Sequence, residues 1–423
     1  MNSKELKKKL LNDELKDCLL DVYLDESLLD YQKERYLKAL ERFEELYGEG
    51  DVSIISVPGR SEVGGNHTDH QHGQVLACAI NLDIIALVRK SESIDFFSDD
   101  RYVKVELNDL NYTKKEEHST KSLVKGVVKR LSNLGYQIGG FEGFMTSDVL
   151  VGSGMSSSAA FEVMIGNIIS YLYNDGRIDG VEIAKASQFA ENVYFGKPSG
   201  LMDQMACSLG NLINIDFSDS NNPLVHKVDV DFSRFGYSLC IVDTKGSHAA
   251  LTDEYSAIPF EMKKVASYFG RLYISELTFD QIIDNIDDLR QKCGDRAVLR
   301  SLHVLMENEK VSAQVAALEN GDFPAFLKLV EASGNSSYKY LQNVFACKDV
   351  DNQSVSLGIL VSERSLGDNG VVRVHGGGFA GSIQAFVKNS YVRKYAEDIE
   401  KIFGKGSCHV LKVRKYGGLQ IVD

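Results

Sequence analysis

The sequence predicts an α+β protein of two domains, and three observations support this prediction. The chain has 423 residues, whereas a single hydrophobic core stops growing near roughly 250 to 300 residues. Short runs rich in valine, isoleucine and phenylalanine alternate irregularly with helical patterns, which favours two α+β units over a doubly wound sheet. No window approaches the roughly 18 uninterrupted apolar residues of a membrane span, so we expect a soluble chain.

The first half of the chain begins with helices and continues with strands. Leucines and aromatic residues at helical spacing, as in YLKALERFEELYG, predict helices that end near Gly48. β-branched and aromatic runs then predict four strands, VSIISVPG, LDIIALVRK, SIDFFS and YVKVEL. Beyond them we expect the helix KSLVKGVVKRLSNLG, the strand GFEGFMTSDVLV, and the helices SSSAAFEVMIGNIISYLYN and GVEIAKASQFAENVYFG.

The second half is more helical. The strand YSLCIVDTK opens it, helical patterns run from Asp253 to about Arg364, and strands within VVRVHGGGFAGSIQAFV and CHVLKVRK close it. The chain contains no internal repeat, low-complexity tract or proline-rich linker.

Charge and cysteine usage narrow the classes of partner. A net charge of −13 disfavours nucleic acid and anionic membranes, which are bound through many lysine and arginine contacts. The seven cysteines are odd in number and never spaced C-x-x-C, which argues against a disulfide framework or a cysteine-ligated zinc. The amino terminus lacks the compact apolar region of a secretory signal. We therefore expect a cytoplasmic protein with reduced thiols. We also expect a monomer, with an oligomer as the alternative.

The segment VGSGMSSSAAFEV follows a predicted strand and begins a predicted helix. Glycine permits close backbone approach, and the N–H groups of a first helical turn have no partner within the helix, so this geometry suits a bound phosphate. The serine hydroxyls could add hydrogen bonds or bind Mg²⁺. A plain serine N-cap after a glycine turn explains the segment equally well, and it is neither a Walker A motif nor a Rossmann fingerprint.

Two further segments carry candidate functional groups. In AENVYFGKPSGLMDQ, Glu191 precedes Asp203 by 12 positions, so one carboxylate could hold a hard cation while the other accepts a proton from a hydroxyl. A helix cap or a solvated side chain is the structural alternative for Asp203. The three glycines of VHGGGFAGS suggest a tight turn or a backbone that passes close to a ligand, although an ordinary hairpin is also consistent.

The segment VPGRSEVGGNHTDHQHG concentrates histidines and an aspartate. Zinc binding is one reading, but H-x-D-H-x-H lacks the spacing of a helical zinc site. The other reading is a loop in which Arg60, His67 and Asp69 hydrogen-bond to a polar ligand. Arg60 would then be a fixed cation that stabilises a neighbouring carboxylate or a developing phosphate charge.

Taken together and in order, these segments resemble the GHMP kinases, and within them most closely the galactokinases. PGRSEVGGNHTDHQHGQVL is similar to the galactokinase signature P-G-R-V-N-L-I-G-E-H-T-D-Y-N-G-G-x-V-L, and GSGMSSSAA to the phosphate-binding G-x-G-L-S-S-S-A. GKPSGLMDQ resembles G-x-x-C-G-I-M-D-Q, HGGGFAGS resembles T-G-G-G-F-G-G-C, and SHAALTDEY resembles the stretch with a sugar-contacting tyrosine. The resemblance spans roughly residues 40 to 420.

The resemblance implies a fold, a reaction and roles for individual residues. It implies a two-domain GHMP kinase fold, with an N-terminal domain of the ribosomal S5 domain 2-like type, a C-terminal ferredoxin-like α/β sandwich and an active site in the cleft between them. We expect a helical extension over 1–40 and domains over 41–235 and 236–423. The implied reaction is Mg²⁺-dependent transfer of the γ-phosphoryl group of ATP to the C1 hydroxyl of galactose. The implied residues are the base Asp203 with its partner Arg60; Asn66, His67, Asp69, Gly200 and Tyr255 for the sugar; Gly152, Ser153, Gly154, Met155, Ser156, Ser157 and Ser158 for ATP; and Ser158 and Glu191 for Mg²⁺.

Departures from the signature leave the sugar open. Asn66 stands where the family has a glutamate that faces the C6 hydroxyl, Glu62 stands where it has asparagine, and His70 replaces tyrosine. An asparagine at position 66 removes a negative charge, so galacturonate, arabinose and N-acetylgalactosamine are alternatives to galactose. A catalytically silent sugar and ATP sensor on the same fold is an alternative function, and a zinc hydrolase built on the histidines is another.

Overall fold

The computed structural model describes residues 1–149, 154–219, 221–246 and 251–423. Within these ranges helices and strands mix, and the strands form two separate sheets. The predicted α+β class is confirmed. The helices and strands named in the sequence are present, although their ends differ by a few residues from the predicted ones.

The larger sheet has eight strands among the described residues, in the order β12-β1-β2-β5-β3-β4, with β6 beside β2 and β7 beside β6. All neighbours are antiparallel except β3 and β5. The sequence did not reveal β6, β7 and β12. They are four or five residues long and β7 is largely exposed, so none of the three carries a strong alternating pattern. The strands of this sheet are β1 Ser53–Gly64, β2 Gln74–Ser91, β3 Ile94–Ser98, β4 Arg101–Val105, β5 Gly140–Ser147, β6 Leu212–Asp216, β7 Leu224–Val228 and β12 Leu419–Val422.

Helices cover both faces of the larger sheet. One face carries the main apolar core beneath α5 and its neighbours, and the other face is covered by the amino-terminal helices through residues such as Leu40 and Phe43. The amino-terminal segment is therefore an integral layer of the fold, since it removes an otherwise bare apolar sheet face from water. The helices are α1 Ser3–Leu11, α2 Lys16–Tyr23 and α3 Leu29–Tyr47 on one side, and α4 Thr120–Asn133, α5 Ser157–Tyr173, α6 Gly180–Phe189 and α7 Met202–Leu209 on the other.

The smaller sheet has the antiparallel order β11-β8-β10-β9. Its strands are β8 Tyr237–Asp243, β9 Gly370–His375, β10 Ser382–Lys388 and β11 Cys408–Leu411. The helices of this half are α8 Thr252–Tyr268, α9 Phe279–Asp284, α10 Ile286–Cys293, α11 Asp295–Glu319, α12 Phe323–Ser336, α13 Ser354–Leu366 and α14 Val392–Phe403.

Short helical turns connect these elements. Within the described ranges, no helix is both long and apolar enough to cross a membrane. The 3-10 turns are Glu26–Leu28, Asp69–Gln71, Lys114–Glu116, Phe232–Phe235, Ile274–Glu276, Gly367–Asn369 and Asn389–Tyr391, and the π-helical turns are Ala190–Phe195 and Ser337–Leu341.

The division into segments 1–40, 41–235 and 236–423 stays a prediction. Its first boundary falls inside α3, and β12, from the last residues of the chain, pairs with β1 in the larger sheet. The carboxyl terminus therefore returns to the amino-terminal half, and the two halves are joined by more than one crossing of the chain.

Candidate active site

An arginine and an aspartate 143 positions apart meet as a two-point ion pair. Arg60 lies on β1, and Asp203 is the second residue of α7. The Arg60 Nε donates to Asp203 Oδ1 at 2.8 Å, and Nη2 donates to Oδ2 at 2.9 Å. Arg60 is buried, while a third of the Asp203 side chain is exposed. Such a planar, bidentate pair orients the carboxylate and keeps it beside a fixed positive charge.

This pair keeps Asp203 ionised. Burial by itself favours the neutral acid, but the charge and hydrogen bonds of Arg60 and a hydrogen bond from Ser156 Oγ outweigh it, so the pKa of the Asp203 carboxyl is lowered. An ionised carboxylate at neutral pH can accept a proton from a bound hydroxyl.

The turn before α5 lies against the same pair. Arg60 Nη1 donates to the carbonyl of Gly154, and the Arg60 N–H donates to the carbonyl of Met155 at 3.2 Å. Ser156 has a left-handed backbone, with φ of 57°, immediately before the first residue of α5. Of the seven residues predicted to bind ATP, Gly152 and Ser153 lie outside the described residues.

The first turn of α5 can receive an anion. It contains Ser157 and Ser158 and no acidic residue, and Ser158 is exposed. The N–H groups of a first helical turn have no partner within the helix, and together with the helix dipole they favour negative charge there. Met155 is fully buried, so its side chain packs in the core and does not face this turn's surface.

A cavity of about 180 Å³ opens beside Asp203. Its walls come from three distant parts of the chain: β1 with its following loop, the turn before α7, and the glycine turn after β9. This arrangement places it between the two sheets, as the cleft prediction requires. The lining residues are Arg60, Glu62, His67, Asp69, His70, Lys197, Pro198, Ser199, Gly200, Met202, Asp203, Gly376 and Gly377.

Three of the five residues predicted to bind the sugar line this cavity, namely His67, Asp69 and Gly200. The His67 ring nitrogen Nε2 lies 3.1 Å from the carbonyl of Gly377, and burial lowers the pKa of His67, so it donates this hydrogen bond as a neutral imidazole. Asp69 is anchored by the N–H of His70, which donates to its Oδ1 at 2.8 Å.

Gly200 is required for space. A Cβ atom at this position would lie 1.8 Å from Asp69 Oδ2. We expect Gly200→Ala to push Asp69 out of place and to raise the KM for the sugar at least tenfold, a factor that corresponds to about 1.4 kcal/mol. The KM for ATP should stay within twofold, and steady-state kinetics with each substrate varied separately will measure both. Equal increases in the two KM values would contradict a local effect.

Asn66 and Tyr255 lie outside the lining. Asn66 is fully buried; its Nδ2 donates to Glu62 Oε1 at 3.1 Å and to the carbonyl of Gly376 at 2.7 Å, and its Oδ1 accepts from Asn343 Nδ2 at 2.9 Å. Tyr255 Oη donates to the carbonyl of Gly378 at 2.5 Å, and a Cβ atom on Gly377 would lie 2.7 Å from the Tyr255 ring. Both residues therefore support the glycine turn that forms one wall of the cavity.

The predicted magnesium ligands have different surroundings. Glu191 lies in the π-helical turn after α6, where its carboxylate accepts from Lys197 Nζ at 2.8 Å and from Gln204 Nε2 at 2.9 Å. Ser158 presents its hydroxyl at the exposed start of α5. One carboxylate and one hydroxyl fit Mg²⁺, which keeps several waters and is held largely by substrate phosphates.

The histidine-rich segment does not converge on a metal. His67 contacts the glycine turn, His72 stacks on Tyr273 with ring centroids 3.5 Å apart, and His70 lies 3.7 Å from Asp69. In the part of the chain that the structure describes, no group of three or more histidine, cysteine, aspartate or glutamate side chains is arranged to hold a metal ion. These partners favour the reading in which the loop binds a polar ligand.

Sequence reasoning assigned no role to Glu62 and Lys197, which also line the cavity. A signal for Glu62 was present, because residues two positions apart on a strand face the same side and Glu62 follows Arg60 by two. Lys197 carried no comparable signal, since it lies in a turn.

Comparisons with known proteins identify related sequences. The model of the galactokinase galactose-binding signature matches residues 41–90, and the model of the GHMP kinase N-terminal domain matches residues 122–211. The galactokinase of Clostridium tetani is 30% identical over 377 residues, which cover 86% of this chain and 92% of that protein. The galactokinase of Streptomyces coelicolor is 30% identical over 386 residues, covering 88% and 94%.

Solved structures show the same fold. The Lactococcus lactis galactokinase, determined with galactose, aligns with a TM-score of 0.78 at 22% identity and covers 91% of this chain and all of that one. The mevalonate kinase of Methanococcus jannaschii aligns with a TM-score of 0.60 at 16% identity, covering 86% and 99%. The predicted GHMP kinase fold and the predicted kinase class are confirmed, and this chain belongs to the galactokinase family of the GHMP kinases.

Proposed function

We propose that this kinase transfers the γ-phosphoryl group of ATP to the C1 hydroxyl of galactose, with Asp203 as the base. The observation that carries the proposal is the two-point Arg60–Asp203 pair, which lies where the polar cavity meets the turn that begins α5. This placement brings an ionised carboxylate between a site for a hydroxylated ligand and a site for phosphates.

The chemistry follows from that placement. The sugar oxygen forms a bond to the γ-phosphorus while the bond from that phosphorus to the β,γ-bridging oxygen breaks, and the hydroxyl proton passes to Asp203. In a loose transition state the protein mainly aligns the reactants and neutralises charge on the phosphoryl oxygens. Arg60 keeps Asp203 ionised until the hydroxyl has become acidic enough to release its proton.

The remaining roles are assigned by surroundings. The backbone around Gly154 and the first turn of α5 would hold the ATP phosphates. Ser158 and Glu191 would hold Mg²⁺, which would supply positive charge against the phosphates, and at Glu191 this requires Lys197 to leave the carboxylate. His67, Asp69 and Gly200 would shape the sugar site, with Tyr255 behind the glycine turn.

We also propose that the protein works as a monomer in the cytoplasm. The buried free thiols of Cys78 and Cys207 suit a reducing compartment.

An ADP-release assay with a panel of sugars tests the proposal. We expect Mg-ATP and galactose to give the highest kcat/KM among galactose, N-acetylgalactosamine, arabinose, galacturonate and glucuronate, with the phosphate found on C1 by ³¹P NMR. The control reaction without sugar should release little ADP. Tight sugar and ATP binding without ADP release from any sugar would instead identify a sensor.

A further inference from the structure

Glu62 is a buried carboxylate that reaches the sugar cavity. It lies on β1 two residues after Arg60, in a stretch where the pairing with β2 is regular, so both side chains project to the same side of the strand. Residues two apart on a strand are separated by roughly 6.6 Å. The backbones of Glu62 and of Arg60, which holds Asp203, are therefore about one sugar ring apart.

The two oxygens of Glu62 have unequal partners. Oε1 accepts from Arg373 Nη2 and from Asn66 Nδ2 at 3.1 Å. Among the residues that the structure describes, Oε2 accepts only the long 3.4 Å contact from the same Asn66 nitrogen. A carboxylate oxygen can accept two hydrogen bonds, so Oε2 has capacity for a donor from the cavity.

The charges around the cavity disfavour an anionic sugar. Glu62, Asp69 and Asp203 contribute three carboxylates to the lining, against the cations Arg60 and Lys197. Arg60 is engaged by Asp203, and Lys197 is engaged by Glu191. Arg373 is fully buried and is used by Glu62 and by backbone carbonyls. A ligand carboxylate beside Glu62 would therefore meet like charge, because Arg373, the cation that pairs with Glu62, is fully buried and already engaged.

We propose that Glu62 determines specificity, by accepting a hydrogen bond from the exocyclic hydroxyl at the end of the sugar away from C1 and by excluding a sugar with a carboxylate there. This inference rests on the proposed sugar kinase function. Asn66 acts as a positioning residue, since it holds Glu62 and the glycine turn together from beneath the cavity. The carboxylate that the sequence comparison found missing at position 66 is thus supplied from position 62, and the expected tolerance for uronates does not follow.

The central test replaces Glu62 with glutamine, which keeps the shape and removes the charge. We expect Glu62→Gln to lower kcat/KM for galactose by about 10- to 100-fold, mainly through KM, as the loss of a hydrogen bond to a charged group predicts. On 6-deoxygalactose, which lacks the hydroxyl, the variant should differ from the wild type by less than threefold. The ratio of kcat/KM for galactose to that for galacturonate should fall at least tenfold.

Two variants separate this role from a purely structural one. Glu62→Asp keeps the charge opposite Arg373 but withdraws it from the cavity, so it should raise the KM for galactose while still rejecting galacturonate. Glu307→Gln is the matched control, because Glu307 is also buried and lies two hydrogen bonds beyond Arg373, through Ser333. It should lower Tm without changing the ratio between the two sugars.

The outcomes distinguish failure of the inference from failure of the proposed function. An unchanged sugar ratio in folded Glu62→Gln, or an unchanged galactose KM in Glu62→Asp should the glutamine variant not fold, would overturn the inference. A wild-type enzyme that uses galacturonate as well as galactose would also overturn it and leave the kinase intact. A wild-type enzyme that phosphorylates no sugar would overturn the proposed function itself.

Discussion

Asp203→Asn will reduce kcat by about three orders of magnitude or more while ATP and galactose still bind. A positioned general base contributes roughly 10²- to 10⁴-fold, and asparagine cannot take the proton of the sugar hydroxyl. The amide also ends the ionic part of the contact with Arg60, although one hydrogen bond to the guanidinium can persist. Single-turnover ADP formation and ligand affinity by calorimetry will measure chemistry and binding separately.

A matched variant makes this result interpretable. Asp216→Asn makes the same chemical change at the end of β6, where the carboxylate accepts from the N–H of Ser218 and lies outside the cavity. It should retain wild-type turnover. Turnover above about a tenth of the wild-type rate in Asp203→Asn would exclude Asp203 as the base, since this residual rate is too high for a reaction that has lost its proton acceptor.

Arg60→Met will reduce kcat/KM at pH 7 by about 100-fold. It will also move the acid limb of the kcat/KM-versus-pH profile to higher pH. In the wild type, burial raises the pKa of Asp203, while Arg60 and Ser156 lower it more. Without the guanidinium the burial effect dominates, so a larger fraction of Asp203 is protonated at a given pH. Activity of the variant should recover as pH rises, and kcat/KM profiles from pH 5 to 9 will show it.

The same pair has a predictable effect on stability. Folding lowers the pKa of Asp203, so its ionised form adds to the free energy of unfolding at pH values above the unfolded-state pKa of about 4. This addition is lost as the pH falls through the folded-state pKa. We expect Arg60→Met to lower the free energy of unfolding by about 2 to 4 kcal/mol at pH 7. This loss is at or below the usual range for breaking a buried ion pair, because a third of the Asp203 side chain is exposed.

Urea unfolding at several pH values measures this cost, and the difference between variant and wild type should shrink towards pH 3. Arg60→Lys is the control, since it keeps a charge but loses the bidentate geometry. Its kcat/KM and the pH of its acid limb should lie between those of the wild type and of Arg60→Met. An acid limb that stays in place in Arg60→Met would contradict the electrostatic role.

Much of the fold could be predicted because it is encoded locally. The helical spacing of α3 to α5 and the β-branched runs of β1 to β4 are periodic over enough residues to indicate their type. The short strands β6, β7 and β12 lack that length, and β12 is defined by its pairing with β1, more than 350 residues away in the chain. Such pairing is a long-range contact that no local pattern reports.

The candidate site likewise has features that the sequence could predict and features that it could not. The resemblance of its ordered motifs to the galactokinases brought Arg60, Asp203, Asp69 and Gly200 into one hypothesis, and the structure places them around one cavity. The sequence could not show that the side chain of Asn66 is directed beneath the cavity. That direction follows from its contacts with Gly376 and Asn343, which lie some 300 residues further along the chain.

By itself, the sequence therefore determined the α+β class and, through its resemblance to the galactokinases, the kinase family, because periodic patterns indicate element type and four ordered motifs together are specific. Only the tertiary structure decided which carboxylates line the cavity, that Tyr255 supports the glycine turn, and that the amino-terminal helices cover a sheet face. These features depend on side-chain direction and on packing between distant segments, and both are set by the folded chain as a whole.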